Sequence, residues 1–448
     1  SFTEVAVSDT TNDIDHAGTI TAVAMTITTS GGGHHDYAGT LDASGAVSTT
    51  HSGSGNVTFA DIDADGTNAS VSVVATDLSG NLSATASSST VATTITGGSG
   101  DDTIVGGTKA DTLTGNDGND SITGGEGNDT LTGGAGNDEL LEGAGSGSIT
   151  GGAGNDTITA GTGFDTIDAG EGDDTIIMGT NMSISDSVVG GLGNDTLTAT
   201  VSSATSNQKI GTLTGVENGT ILFDQTSGSF DASGSITAFT VSPVDENDTI
   251  SITNLTSSQT VKVVEDAVEN IGSLTLDYAN DATATIEIED AHDTGAVVIT
   301  DAQTVNITST GGAATAIGTV TLDATANSTG AGGTDTLTID VNTASSATTQ
   351  TGAFEADVVK NVTLTTSSTG AALSLGVGSY VFNDAPELET LTLNAGGGGD
   401  TADDSDITIT AVGGTVNADE LTSLSFTAAD GADITTGAIN ATGATLTS

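Results

Sequence analysis

Gly124-Gly125-Glu126-Gly127-Asn128-Asp129-Thr130-Leu131-Thr132 runs directly into Gly133-Gly134-Ala135-Gly136-Asn137-Asp138-Glu139-Leu140-Leu141, and the same nine-residue frame holds from Gly97 to Ile177. Nine consecutive units fit the form G-G-x-G-x-D-x-U-x, where U is a large aliphatic residue. After twelve residues, Met178 to Val189, one further unit occupies residues 190–198, so the interruption is three residues longer than a unit. A period this short predicts a solenoid. A flexible Gly-rich linker would have no reason to place an aliphatic residue at every ninth position.

Each position has a physical task. The glycines reach backbone dihedrals that a Cβ would forbid, so the chain can reverse within six residues. The last three residues form a short strand whose apolar member points inward: Ile104, Leu113, Ile122, Leu131, Leu140, Ile149, Ile158, Ile167, Ile176 and Leu197. Two units then make one turn and bury these side chains in two opposed rows. Position six supplies a carboxylate: Asp102, Asp111, Asp120, Asp129, Asp138, Asp156, Asp165, Asp174 and Asp195. Rungs stack about 4.8 Å apart, and unpaired carboxylates at that spacing repel by several kcal/mol at an effective dielectric of about 20. A cation between turns would convert the repulsion into attraction. Ca²⁺, which accepts six to eight oxygens in flexible geometry, matches better than Mg²⁺ with its strict octahedron. Folding of the segment should therefore depend on the ion.

The pattern resembles the RTX family of secreted repeat proteins over residues 97–198. That resemblance implies a right-handed parallel β-roll with calcium in the turns, held by the aspartates above and by backbone carbonyls at second and fourth positions such as Gly125, Gly127, Gly152 and Gly154. Two units depart from the pattern. Residues 142–150 carry Gly147 where the aspartate belongs, which implies an incomplete site, and Lys109 replaces a fourth-position glycine.

Beyond the repeats, 60 acidic residues stand against four lysines (Lys109, Lys209, Lys262 and Lys360) and no arginine, for a formal charge of −56. Such a chain cannot bind nucleic acid by neutralising phosphate, and its self-repulsion calls for divalent cations. The absence of cysteine excludes disulfides, thiolate metal sites and cysteine nucleophiles. No stretch approaches the roughly 18 apolar residues of a membrane span, and no targeting leader is recognisable. There is no H-E-x-x-H, G-x-S-x-G or P-loop, and no Trp to stack sugars, so no enzyme activity is expected.

The expected architecture is all-β in three parts: residues 1–96 an immunoglobulin-like sandwich, 97–198 the calcium-binding β-roll, and 199–448 an irregular β-helix or solenoid. Short alternating runs in the first part suggest six or seven strands, and Phe59 to Ala84 resembles bacterial immunoglobulin-like domains of surface proteins. Asp61, Asp63 and Asp65 there form either a β-sandwich calcium loop or a solvated acidic turn. Gly33-His34-His35-Asp36 suggests a transition-metal site, but adjacent residues of a strand face opposite ways. Acidic groups at 245–248, at 289–293 and at 400–406 are exposed loops or calcium sites between subunits.

In the last part, Thr/Ser alternating with Ile, Val or Leu recurs at irregular intervals, as in Thr249-Ile250-Ser251-Ile252, Ser273-Leu274-Thr275-Leu276 and Thr390-Leu391-Thr392-Leu393, which predicts rungs joined by loops of differing length. From Thr212-Leu213-Thr214-Gly215-Val216-Glu217-Asn218 onward, the texture resembles crystallisation domains of RTX-type surface-layer proteins of Gram-negative bacteria. The resemblance implies type I secretion, a cell-surface location and packing against copies of itself in a sheet or filament with calcium bridging acidic edges, while the N-terminal sandwich could anchor to cell-surface polysaccharide or lipopolysaccharide, contact a neighbour or bind a surface. The alternative is a secreted adhesin or biofilm-matrix binding protein.

Overall fold

The computed structural model describes residues 5–9, 14–66, 69–180, 182–202, 207–224, 227–243, 248–264, 271–289, 293–294 and 296–311, and beyond these the strands between residues 316 and 440. Among the described residues there is no helix, so none is long and apolar enough to cross a membrane. The described ladders are parallel throughout, as in Met25–Gly31 with Val47–Gly53 and in Asn361–Thr366 with Thr390–Ala395. The chain divides into two compact units, residues 1–199 with 210–218, and residues 200–209 with 219–448.

The first unit is a parallel solenoid. One sheet runs through Val47–Gly53, Val71–Leu78, Thr93–Thr96, Thr112–Asp117, Thr130–Ala135 and onward to Thr212–Thr214. The other contains His35–Ala43, Val57–Ala64, Leu82–Thr85, Thr103–Val105, Ser121–Glu126 and their successors. Within the repeats each residue meets its equivalent two units later, Ile104 on Ile122, Leu140 on Ile158, Leu113 on Leu131. The ten inward aliphatics are all 1% exposed or less, forming the two opposed rows. At the interruption the register steps by 21 residues instead of 18, and Val188 takes the inward place above Ile167. The interruption is thus a tenth unit whose three extra residues are absorbed with one register shift, between Ile177 and Gly179.

The immunoglobulin-like sandwich expected over residues 1–96 does not form. Such a sandwich is built from antiparallel sheets, whereas His35–Ala43 pairs parallel with Val57–Ala64, and this in turn with Leu82–Thr85 and the first nonapeptide strand. Alternation fixes which side of a strand is buried but says nothing of its direction. More than 20 residues separate partners such as Met25 and Val47, which is room for a full turn. These wider turns admit aromatics: Tyr37 stacks on Phe59 with ring centroids 5.0 Å apart, and His51 lies 5.2 Å from the same ring.

In the second unit, Ser227–Asp231, Asp248–Leu255, Ile271–Glu289 and Ala296–Gly311 stack in parallel with local register shifts, placing Ile250, Leu274 and Val297 in one buried row. A second row joins Val261, Ile286 and Ile307. Intervals between partners vary, as the irregular spacing predicts. Gln259 ties turns together, its amide donating to the Ala232 and Ile236 carbonyls at 2.9 Å each. Lys209 pairs with Asp231 at 3.2 Å, and although burial opposes it, hydrogen bonds from Ser233, Asn254 and Lys209 hold the Asp231 carboxyl below its usual range.

Candidate metal centre

Position six of each unit follows the glycine turn and precedes the strand, so its side chain is drawn under the turn. The nine aspartates are each 2% exposed or less. Oδ1 of every one accepts a backbone N–H from the turn before it. Thus Asp102 N–H donates to Asp120 and Asp120 N–H to Asp138, both at 2.7 Å, then Asp138 to Asp156, Asp156 to Asp174 and Asp174 to Asp195 at 2.8–2.9 Å. On the opposite edge Asp111 N–H donates to Asp129 at 2.8 Å and Gly147 N–H to Asp165 at 2.9 Å. Each ladder begins on a plain backbone donor, Leu82 for Asp102 and Thr93 for Asp111. Hydrogen bonds to an ionised acceptor contribute about 1.5–3 kcal/mol each, so these ladders are a principal tie between turns.

The second oxygen separates two kinds of turn. In units one, two and eight the second-position N–H of Gly98, Gly107 or Gly161 donates to the unit's own aspartate, Asp102, Asp111 or Asp165. No residue of these three turns has a positive φ. In the units of Asp120, Asp129, Asp138, Asp156, Asp174 and Asp195, residues two and four are left-handed, with φ of 127° at Gly152 and 124° at Gly154, and 110° and 138° at Gly125 and Gly127. That conformation turns the N–H away, and Oδ2 of all six aspartates is buried without a hydrogen-bond partner. Asn116, with φ of 83°, takes the second position in the Asp120 unit, and elsewhere glycine is favoured for a second reason. A Cβ at Gly152 or Gly154 would strike the carbonyl oxygen of Gly134 or Gly136 in the turn below.

A buried carboxylate oxygen without a donor is costly. Burial first, then neighbouring carboxylates, pushes Asp120 and Asp156 up to about 7 and Asp174 to about 6. Burial likewise raises Asp129, Asp138 and Asp195. Among the described residues no three His, Cys, Asp or Glu side chains gather as a metal cluster. An ion here would take carboxylate oxygens from the ladder and complete its shell with backbone carbonyls of the turns, which is hard-oxygen chemistry suited to Ca²⁺. The six orphaned oxygens fit such an ion.

Several participants escape a strict nine-residue frame. Asp186 caps Asp165 N–H at 3.0 Å, and Glu217 Oε2 caps Asp195 N–H at 2.9 Å. Aligning the interrupted unit with a three-residue insertion would have found Asp186. Position five, formally variable, carries a ladder of opposite polarity: Asn137 N–H donates to Asn119 Oδ1 and Asn155 N–H to Asn137 Oδ1, both at 2.7 Å. The recurrent Asn before Asp was its visible signal.

Outside the roll, Asp61-Ile62-Asp63-Ala64 is not a loop. It ends the strand Val57–Ala64, with Ile62 and Ala64 buried and Asp61 and Asp63 half-buried on the outer face beside the register partner Asp42. Asp65 follows the strand and is exposed. Burial, then Asp61, Asp65 and Asp42, raises the Asp63 carboxyl. Of the two histidines, His34 is exposed and His35 buried, on opposite faces of the chain. The acidic groups at 245–248, 289–293 and 400–406 fall largely outside the described residues.

The RTX calcium-binding nonapeptide repeat model matches residues 96–131, 105–140, 114–149, 150–179 and 184–200, less than half of the chain. No curated protein and no solved structure matches it. The chain therefore carries a block of RTX-type calcium-binding nonapeptides, folded as a parallel β-roll with an unpartnered aspartate oxygen in six of its turns.

Proposed function

We propose that this chain is a secreted, non-catalytic structural protein that folds on meeting external calcium and then assembles with copies of itself into an extracellular surface array. The observation that carries the reading is the stack of buried, orphaned Asp oxygens. It disfavours the folded roll where calcium is scarce and favours it at the calcium concentrations to which extracellular modules are tuned, about 10⁻⁴–10⁻³ M. Export unfolded and folding outside follow.

Assembly has support of two kinds. A formal charge of −56 keeps chains apart until cations neutralise part of it. In addition, Phe164 and Ile184, on consecutive turns of one edge of the roll, are 63% and 75% exposed, and Leu192 is 69% exposed. Large apolar side chains left in solvent on a solenoid edge suit contact with another surface. Electron microscopy and sedimentation of the purified protein, with calcium and then with EGTA, test the proposal. Ordered sheets or filaments that require calcium are expected. A calcium-folded protein that stays monomeric would replace the array reading with that of an adhesin needing a foreign ligand.

A further inference from the structure

Unit six, residues 142–150, lacks the sixth-position aspartate, yet its turn is built like those that keep it. Gly143 and Gly145 are left-handed, with φ of 97° and 145°, as in the six turns with an orphaned Asp oxygen. At position one, where most units have glycine, it carries Glu142. In the regular units the first-position glycine faces its own aspartate: a Cβ at Gly115 or Gly133 would strike Oδ2 of Asp120 or Asp138. In unit six the relation is reversed, and a Cβ at Gly147 would strike the Glu142 side chain. Glycine and acid have exchanged places across the same gap, so the unit still has one carboxylate there, delivered from the opposite wall.

Glu142 is 0% exposed, and neither Oε1 nor Oε2 has a hydrogen-bond partner. Among the described residues no lysine pairs with it. Its carboxylate lies against Gly161 of the next turn, where any Cβ would overlap Oε2. Seven turns are therefore left-handed at positions two and four, and the same seven hold a buried carboxylate with unpartnered oxygen. A charged group in that state calls for an ion within reach.

We infer that Glu142 is a cation ligand, and that the exchange of Glu142 and Gly147 preserves a calcium site in the unit that lost its aspartate. This rests on the calcium reading of the turns given above. Native mass spectrometry of the full chain at saturating calcium counts bound ions as integers and tests it. Glu142→Gln should bind one ion fewer than the parent. The double exchange Glu142→Gly with Gly147→Asp, which restores the regular unit and guards against misfolding of the single variant, should bind the parental number. Asp138→Asn, at a regular turn, should also lose one. An unchanged count in Glu142→Gln, or one ion gained by the double exchange, overturns the assignment, leaving Glu142 as a plug. If Asp138→Asn loses none either, the calcium reading of the turns fails and this inference with it.

Discussion

Replacing Asp156 by Asn separates the two jobs of a ladder carboxylate. Oδ1 accepts the Asp138 N–H at 2.8 Å, and the Asn carbonyl oxygen can keep that bond. Oδ2, buried and unpartnered, becomes an amide nitrogen that cannot bind a cation. With free calcium at about one hundred times its dissociation constant, losing one site removes about 2.7 kcal/mol. For a compact unit of about 200 residues, that corresponds to a fall of about 5–10 °C in Tm. Without calcium the sign reverses. Burial, then Asp138 and Asp174, raises Asp156 to about 7, so at neutral pH removing the charge relieves a penalty and the variant should be the more ordered. Thermal melts followed by circular dichroism, in calcium and in EGTA, measure both. An equal loss in the two conditions would mean that the carboxylate acts only through its backbone hydrogen bond and would refute the reasoning.

Three further outcomes are expected. Asp102→Asn, in a turn whose N–H already satisfies the second oxygen, should lower stability by a similar amount with and without calcium, about 1–2 kcal/mol for one weakened bond, and leave the bound-ion count unchanged in native mass spectrometry. Leu140→Ala removes a side chain packed between Ile122 and Ile158 and should cost about 2–5 kcal/mol, read as an increased calcium requirement for folding. Acid should partly replace calcium. Because the folded-state values of Asp120 and Asp156, near 7, exceed the 3.8 of an unperturbed Asp, the calcium-free roll retains protons that the unfolded chain releases. Their contribution is full below about pH 4 and is lost as pH rises through 7. Circular dichroism in calcium-free buffer should show more β-structure at pH 5 than at pH 7.5, and the opposite order would contradict it.

The roll was legible because its period is strict: every ninth residue repeats a task, so the two rows, the two-unit turn and the sixth-position carboxylates could be read from spacing alone. The N-terminal turns were not, since partners such as Met25, Val47 and Val71 are unevenly spaced and alternation is identical in parallel and antiparallel strands. That ambiguity turned a solenoid into a sandwich and a strand end at Asp61 and Asp63 into a loop. Within the roll, composition could not distinguish Asp120 from Asp165. Both occupy position six, and only the backbone shows that Gly161 already caps one while nothing caps the second oxygen of the other. Unit six looked incomplete at Gly147 because a linear motif has no way to show that positions one and six share a gap.

Calcium titration of the full chain, followed at neutral pH by circular dichroism together with amide hydrogen exchange over residues 97–198, tests the central claim most directly. Cooperative gain of β-structure and of protection in the ladder N–H groups of Asp102, Asp120, Asp138 and Asp156 is expected, reversed by EGTA. A roll already protected in EGTA and unchanged by calcium would contradict it.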